Sequence, residues 1–295
     1  MARQRSIKYV DVEGIRTRYF DHGRGDVVVL VHGGAMGTGS SFEIFDENIA
    51  ALTKRYRVVA LDKIGHGHSD NPETDADYTI ERMTRHTHRF LEVLGLERVY
   101  LIGQSRGAFN GIEICLAEPS RVRAFVLCNS ASMAPGVEAI PAFSKKARAE
   151  APFAPGSKEW VRYRSEIMCF NKACITDDYI DRWHAIHHLP KSLVAREKMK
   201  TLGPNQFEPS VDRAKERVFA RLREGGLKVP VLVHWGRNDP SAPFETDGMN
   251  VYKLLSENAS DVTLHVVNRA GHFAFKERAE DFNHVIPAFF DALPS

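Results

Sequence analysis

The sequence predicts an α/β fold, with a mostly parallel sheet flanked by helices and a helical cap inserted late in the chain. Three observations carry this. Short apolar runs alternate with helix-patterned stretches. The runs are near-continuously apolar, as strands covered on both faces are. One long interval then breaks the rhythm and shows helical pattern alone.

The elements follow in order. Ile7–Val12 and Arg16–Asp21 read as an opening hairpin turned at Glu13-Gly14. Buried strands are expected at Val27–Val31, Arg57–Leu61, Val99–Ile102, Ala124–Cys128, Val231–Trp235 and Val262–Val267. Helices are expected at about 41–54, 79–95, 105–118, 245–257 and 277–291. From Ser132 to Leu227 no strong strand occurs. Pro135, Pro141, Pro152 and Pro155 punctuate its start, and Ser157–Phe170 and Thr176–His188 are amphipathic. The expected division is a core of 1–134 and 228–295 with a cap of 135–227, inserted between the sixth and seventh strands.

Composition narrows the function. Of 295 residues, 43% are hydrophobic and 26% charged, ordinary for a soluble domain. Lys+Arg number 40 against 38 Asp+Glu, a net +2 that gives no footing for nucleic acid. No apolar run approaches the ~20 residues of a membrane span. Arg3 and Arg5 have no apolar segment behind them, so no secretion signal is expected. Cys115, Cys128, Cys169 and Cys174 show no C-x-x-C spacing, and a reduced, cytoplasmic chain is expected.

The chemistry concentrates after the strands. Gly103-Gln104-Ser105-Arg106-Gly107 lies between the run Val99–Ile102 and a helical stretch. In that context G-x-S-x-G presents a serine on a strained turn, with glycines where a Cβ would collide. A serine hydroxyl needs a base, and His272 follows the last strand; Asp239, after the preceding strand, would orient that base. The loop after the sixth strand, Asn129-Ser130-Ala131-Ser132, offers no carboxylate. Two N–H donors are needed for an oxyanion. Arg106 would supply one from its backbone, and Gly34, or failing it Ala35, the other from His32-Gly33-Gly34-Ala35-Met36-Gly37. The spacing of a dinucleotide site is missing.

Weaker features are read as structure. Asp62 to Asp70 looks like a supporting loop, and its histidines have no converging carboxylates, so no metal is expected. His184, His187 and His188 have helical spacing on the cap, where histidines lining a pocket or facing water are expected ahead of a zinc face. Arg162, Arg164, Arg182 and Arg196 are cap cations, and one of them could bind a substrate carboxylate.

With these motifs in place, the chain resembles the α/β-hydrolase superfamily over nearly its whole length, and within it the meta-cleavage product hydrolases, which cleave carbon–carbon bonds in aromatic ring-fission products. His32-Gly33-Gly34, Gly103 to Gly107, Trp235-Gly236-Arg237-Asn238-Asp239, Gly271-His272 and the tail Ala279-Glu280-Asp281-Phe282-Asn283 carry the likeness. It implies the α/β-hydrolase fold, no cofactor, a small-molecule substrate, and dimers or larger oligomers. It also implies a substrate pocket at Gly33, Glu43, Gln104, Arg182, Trp183 and Phe273. At four of these the family commonly differs. It has asparagine before the nucleophile, where Gln104 stands, and tryptophan after the histidine, where Phe273 stands. An asparagine is replaced by Glu43, and the cap arginine falls at Trp183, beside Arg182.

Four readings stay open at this point: a C–C hydrolase, a carboxylesterase or lactonase using the same residues, a non-catalytic small-molecule binder and, last, a cofactor-free oxygenase on the same scaffold. Haloalkane dehalogenase and epoxide hydrolase chemistry is disfavoured, because both need a carboxylate where Ser105 stands.

Overall fold

The computed structural model describes residues 6–138 and 142–293. Arg3, Arg5 and Pro141 lie outside them. Eight strands form one sheet: β1 (Ile7–Val12), β2 (Ile15–His22), β3 (Val27–Val31), β4 (Arg57–Leu61), β5 (Val99–Gln104), β6 (Val122–Cys128), β7 (Val231–Gly236) and β8 (Val262–Val267). Their spatial order is β1-β2-β4-β3-β5-β6-β7-β8. β1 pairs antiparallel with β2, and β2 with β4; every other pairing is parallel. All eight expected strands are present, some extended by one or two residues.

The apolar runs explain the middle of the sheet. Residues of β3 and β5 alternate between two cores. Val29, Val31 and Leu101 face the helices Ile80–Val93, Arg106–Ala117 and Glu208–Gly225. Val28, Leu30 and Ile102 face the helices Asp46–Leu52 and Ala279–Asp291. A strand buried on both sides has no polar face, so its sequence shows no alternation.

The expected helix at 41–54 divides into a 3-10 turn, Phe42–Phe45, and the helix Asp46–Leu52. Between β6 and β7 the described residues hold no strand. Helices run Ala142–Ala149, Lys158–Glu166, Asp177–His187, Pro190–Leu202 and Glu208–Gly225. Ser157 and Thr176 cap two of them by accepting N–H bonds from Trp160 (3.1 Å) and Tyr179 (3.2 Å). Glu208–Gly225, the last, packs in the helical layer of the sheet against Ile80–Val93 and Arg106–Ala117. Lys158–Glu166 and Asp177–His187 instead cover the ends of β3, β5 and β7. Among the described residues no helix is long and apolar enough to cross a membrane.

Candidate active site

Ser105 follows β5 directly, at φ 53° and ψ −122°. That conformation costs a residue with a Cβ on the order of 1–3 kcal/mol. It persists because the surroundings hold it: Ser105 N–H donates to the Cys128 carbonyl (2.9 Å) and its own carbonyl accepts from Ser130 Oγ (2.7 Å). The flanking glycines are sterically required. A Cβ on Gly103 would lie 2.6 Å from the Gly107 oxygen, and one on Gly107 would lie 2.7 Å from the His32 oxygen. The helix Arg106–Ala117 starts immediately after the serine, so its amino-terminal N–H groups face the same space.

Asp239 and His272 sit after β7 and β8. His272 Nδ1 lies 2.7 Å from Asp239 Oδ2. A carboxylate there fixes the imidazole proton on Nδ1 and leaves Nε2 as the acceptor. Asp239 is nearly fully buried and multiply held. Oδ1 accepts from Ser241 N–H (2.8 Å), Ala242 N–H (3.0 Å) and Ser241 Oγ (2.9 Å), and Oδ2 accepts from Asn129 Nδ2 (2.9 Å). Asn129 adopts φ 39° at the end of β6 and also accepts the Gly236 N–H (3.2 Å). Asn129 and Ser241 are missed by sequence reasoning. A polar residue ending the neighbouring strand was the available signal for Asn129; none pointed to Ser241.

Gln104 links the base to the glycine loop. Its Oε1 accepts from Gly33 N–H (3.1 Å), and its Nε2 lies 3.0 Å from His272 Nε2. The basic nitrogen is therefore covered by an amide donor rather than by the Ser105 hydroxyl. Gly33 N–H is engaged, whereas the N–H groups of Gly34, Ala35 and Met36 have no partner among the described residues; Gly34 and Ala35 are the two of these that line the cavity. Gly34 holds φ 90°, where a Cβ would approach the Ser40 Cβ at 2.6 Å.

Ser105, His272, Gly33, Gly34, Ala35, Arg106, Glu43, Gln104, Arg182, Trp183 and Phe273 all line one cavity of about 230 Å³, with Asp239 just behind it. Two of the expected binding residues arrive with their charge engaged. Glu43 Oε1 pairs with Arg18 (2.5 Å), which also holds Asp62 (3.1 Å). Burial opposes the Glu43 charge, but Arg18 overrides it and keeps the carboxyl below its usual range. Asp62 is pushed up to about 6 by burial and by the Glu43 charge, against the pull of Arg18. Arg182 is clasped between Asp46 (2.8 Å) and Asp178 (2.7 Å). Arg164 also lines the cavity, stacked 4.9 Å over the Trp160 ring. Trp183 stacks on His187 at 4.8 Å, and Phe273 meets His272 edge-on at 5.4 Å.

The histidine loop is tied to the helices above it. His272 N–H donates to the Met168 carbonyl (2.8 Å). The buried Glu277 accepts Gly271 N–H (2.9 Å) on one oxygen, and Phe170 and Asn171 N–H (2.8 Å each) on the other. Burial raises the Glu277 pKa, while those N–H groups pull it the other way. This clasp has no sequence signature.

Known proteins resemble the whole chain. A 2-hydroxy-6-oxononadienedioate/2-hydroxy-6-oxononatrienedioate hydrolase of Comamonas testosteroni is 28% identical over 292 residues, covering 95% of this chain and 93% of that protein. A 2-hydroxy-6-oxo-6-(2'-aminophenyl)hexa-2,4-dienoic acid hydrolase of Metapseudomonas resinovorans is 27% identical, covering 96% and 90%. The solved structure of a meta-cleavage product hydrolase from Pseudomonas fluorescens IP01 superposes with a TM-score of 0.78 at 26% identity, covering 96% and 97%. The family described as alpha/beta hydrolase fold matches residues 26–279, from the foot of β3 to the start of the last helix, and the chain belongs to that family.

Proposed function

We propose that this chain is a serine hydrolase that cleaves a carbon–carbon bond in a vinylogous diketo acid of the kind produced by aromatic ring fission. The observation that carries the reading is the buried 2.7 Å contact of His272 with Asp239, set beside a serine in a strained strand-to-helix turn. The similarity to hydrolases of dienoic acids supports the substrate class. Of residues 135–227, the helices Lys158–Glu166 and Asp177–His187 would act as the cap over the cavity, while Glu208–Gly225 belongs to the layer flanking the sheet.

In this reading Asp239 orients His272 and stabilises the imidazolium. The incoming substrate displaces the Gln104 amide from His272 Nε2. His272 then moves a proton from the dienol hydroxyl to the carbon chain, giving the keto form. Ser105 Oγ, or a water activated through His272, adds to the distal carbonyl while its proton goes to Nε2. Arg106 and Gly34 N–H groups hold the resulting oxyanion. The C–C bond breaks with its electron pair moving into the fragment that carries the carboxylate and the remaining ketone. The His272 imidazolium gives that fragment a proton and it leaves as a dienol. The other fragment either stays as an ester on Ser105, released as a carboxylic acid by a water that His272 activates, or leaves directly as the acid where water was the nucleophile.

A second reading, an esterase or lactonase, uses the same residues through an acyl-enzyme. The neutralisation of Arg182 by Asp46 and Asp178 favours it, because that cation is less able to recognise a substrate carboxylate. Mixing the protein with a yellow ring-fission product separates the two. Loss of the visible absorbance at catalytic rates is expected. No bleaching, together with rapid p-nitrophenyl ester turnover, would replace the first reading by the second.

A further inference from the structure

His234 and His265 are direct partners across the parallel β7–β8 pair. Residues in register on neighbouring strands project to the same face, here toward the helix Ala279–Asp291. Their rings stack at 5.3 Å and 25°. Asp281, in the first turn of that helix, brings Oδ2 to 2.9 Å from His265 Nε2. Phe282 packs edge-on against His234 at 5.1 Å.

His234 is anomalous. It is fully buried, and neither ring nitrogen has a hydrogen-bond partner among the described residues. Leaving such a group unsatisfied costs on the order of 1–3 kcal/mol, and an apolar residue at this position of a buried strand would avoid it. One donor atom from each of His234, His265 and Asp281 lies within 4.8 Å of the other two.

We propose that His234, His265 and Asp281 bind a zinc ion, at a site separate from the reaction cavity. Two imidazoles and a carboxylate are a borderline-soft donor set that suits zinc, with water as a fourth ligand. Metal–donor bonds of about 2.0–2.1 Å set tetrahedral donors roughly 3.3 Å apart, so the widest pair, at most 4.8 Å apart, closes by up to about 1.5 Å while His265 and Asp281 stay near their present separation. The side chains of His265 and Asp281 are 30% and 35% exposed, which gives the ion a path in. None of the three lines the cavity. The ion would clamp the last two strands to the carboxy-terminal helix. β7 leads into the Asp239 loop and β8 into the His272 loop, and Asn129 N–H donates to the His234 carbonyl at 3.2 Å. The clamp would thus brace the scaffold under both residues without entering the reaction.

A second cluster, His88, Glu92 and Glu118, is weaker. Glu118 is already held by Arg121 (2.7 Å) and His88 (2.7 Å), and Arg89 pairs with Glu92.

The test uses the full chain, stripped with chelator and desalted. Zinc is titrated by calorimetry and by thermal unfolding, and cobalt(II) is added as a visible reporter. The expected result is one zinc per chain, a raised Tm, and d–d bands of a four- or five-coordinate cobalt. His265→Ala and Asp281→Asn should each weaken binding at least about tenfold. His234→Phe should abolish it while the metal-free protein stays folded, because the new ring fills an apolar contact. A Cys169→Ser/Cys174→Ser double variant should bind as wild type. Substoichiometric zinc in the wild type would overturn the proposal. So would undiminished binding in the His265 and Asp281 variants, which would place the ion at the cap histidines or thiols.

Discussion

On the floor of the cavity, Ser105, Asp239 and His272 stand on three loops, each at the end of a sheet strand; on the roof, Trp160, Arg164, Arg182 and Trp183 project from two short helices. The floor is over-determined. Asp239 accepts four hydrogen bonds besides its contact with His272, and Ser105 is held through both its N–H and its carbonyl. The roof is held by ring stacking, by exposed or half-exposed ion pairs and by the Glu277 clasp. A floor of this kind suits one catalytic geometry across many substrates. A roof of this kind can change its lining without disturbing that geometry, which is where specificity in this fold can diverge.

The sharpest way to break the comparison is at the floor. Ser105→Ala should lower turnover of any substrate by roughly 10³- to 10⁶-fold with the circular dichroism spectrum and Tm retained. Removing a strained hydroxyl-bearing residue in favour of alanine leaves the same Cβ and the same backbone, so the fold has no reason to change. Turnover within tenfold of wild type would show that the serine is not the reacting group, and the floor would lose its assigned role.

The roof calls for a paired measurement. Both cations line the cavity, Arg182 between two carboxylates and Arg164 at 4.9 Å over the Trp160 ring. Arg164→Gln should raise KM for a carboxylate substrate about tenfold, the order of one charge-assisted hydrogen bond, and leave the KM of its neutral ester unchanged. Arg182→Gln should have the smaller effect on both. If Arg182→Gln is the one that separates acid from ester, the ion pairs with Asp46 and Asp178 open on binding and the roof is less fixed than its geometry suggests.

The same division explains what was legible beforehand. Ser105, Asp239, His272 and the glycine loop could be read from sequence because each follows a strand and each carries a local motif whose residues must be adjacent. Gln104, the neighbour of the serine, was legible as a pocket residue, but its bridge between Gly33 and His272 was not, since it depends on side-chain reach. Asn129, Ser241 and Glu277 escaped notice because their roles arise from side-chain and backbone partners that only the folded loops bring into reach. Arg182 shows the limit most clearly. Its helical spacing from Asp178 is visible, but Asp46 approaches from another helix, and that contact is what consumes the charge. The interval read as helical is helical in its described parts, yet its last helix joins the layer beneath the roof, a choice made by its buried face of Val211, Val218 and Leu222.

Behind the floor lies a second costly residue, and it offers the smallest and cleanest test. Lys63 is fully buried behind the glycine loop, with no hydrogen-bond partner for Nζ among the described residues. Burial, reinforced by the Arg106 charge, holds its pKa well below the lysine range. His32, His66 and His86 surround it, and burial keeps these imidazoles neutral as well. Between the folded pKa and the unfolded value of about 10.4, the unfolded chain carries one more proton than the folded one. The penalty is therefore greatest at low and neutral pH and fades as pH rises toward the unfolded value. Lys63→Met keeps the length and removes the charge. It should stabilise the fold by about 1–3 kcal/mol at pH 7, at roughly 2–4 °C in Tm for each kcal/mol, and the gain over wild type should shrink between pH 7 and pH 10. A gain that does not vary with pH would mean that packing, not the buried amine, sets the difference. A loss of stability at every pH would mean that the amine has a partner in solution, and that the floor is as fully satisfied behind its glycine loop as it is around Asp239.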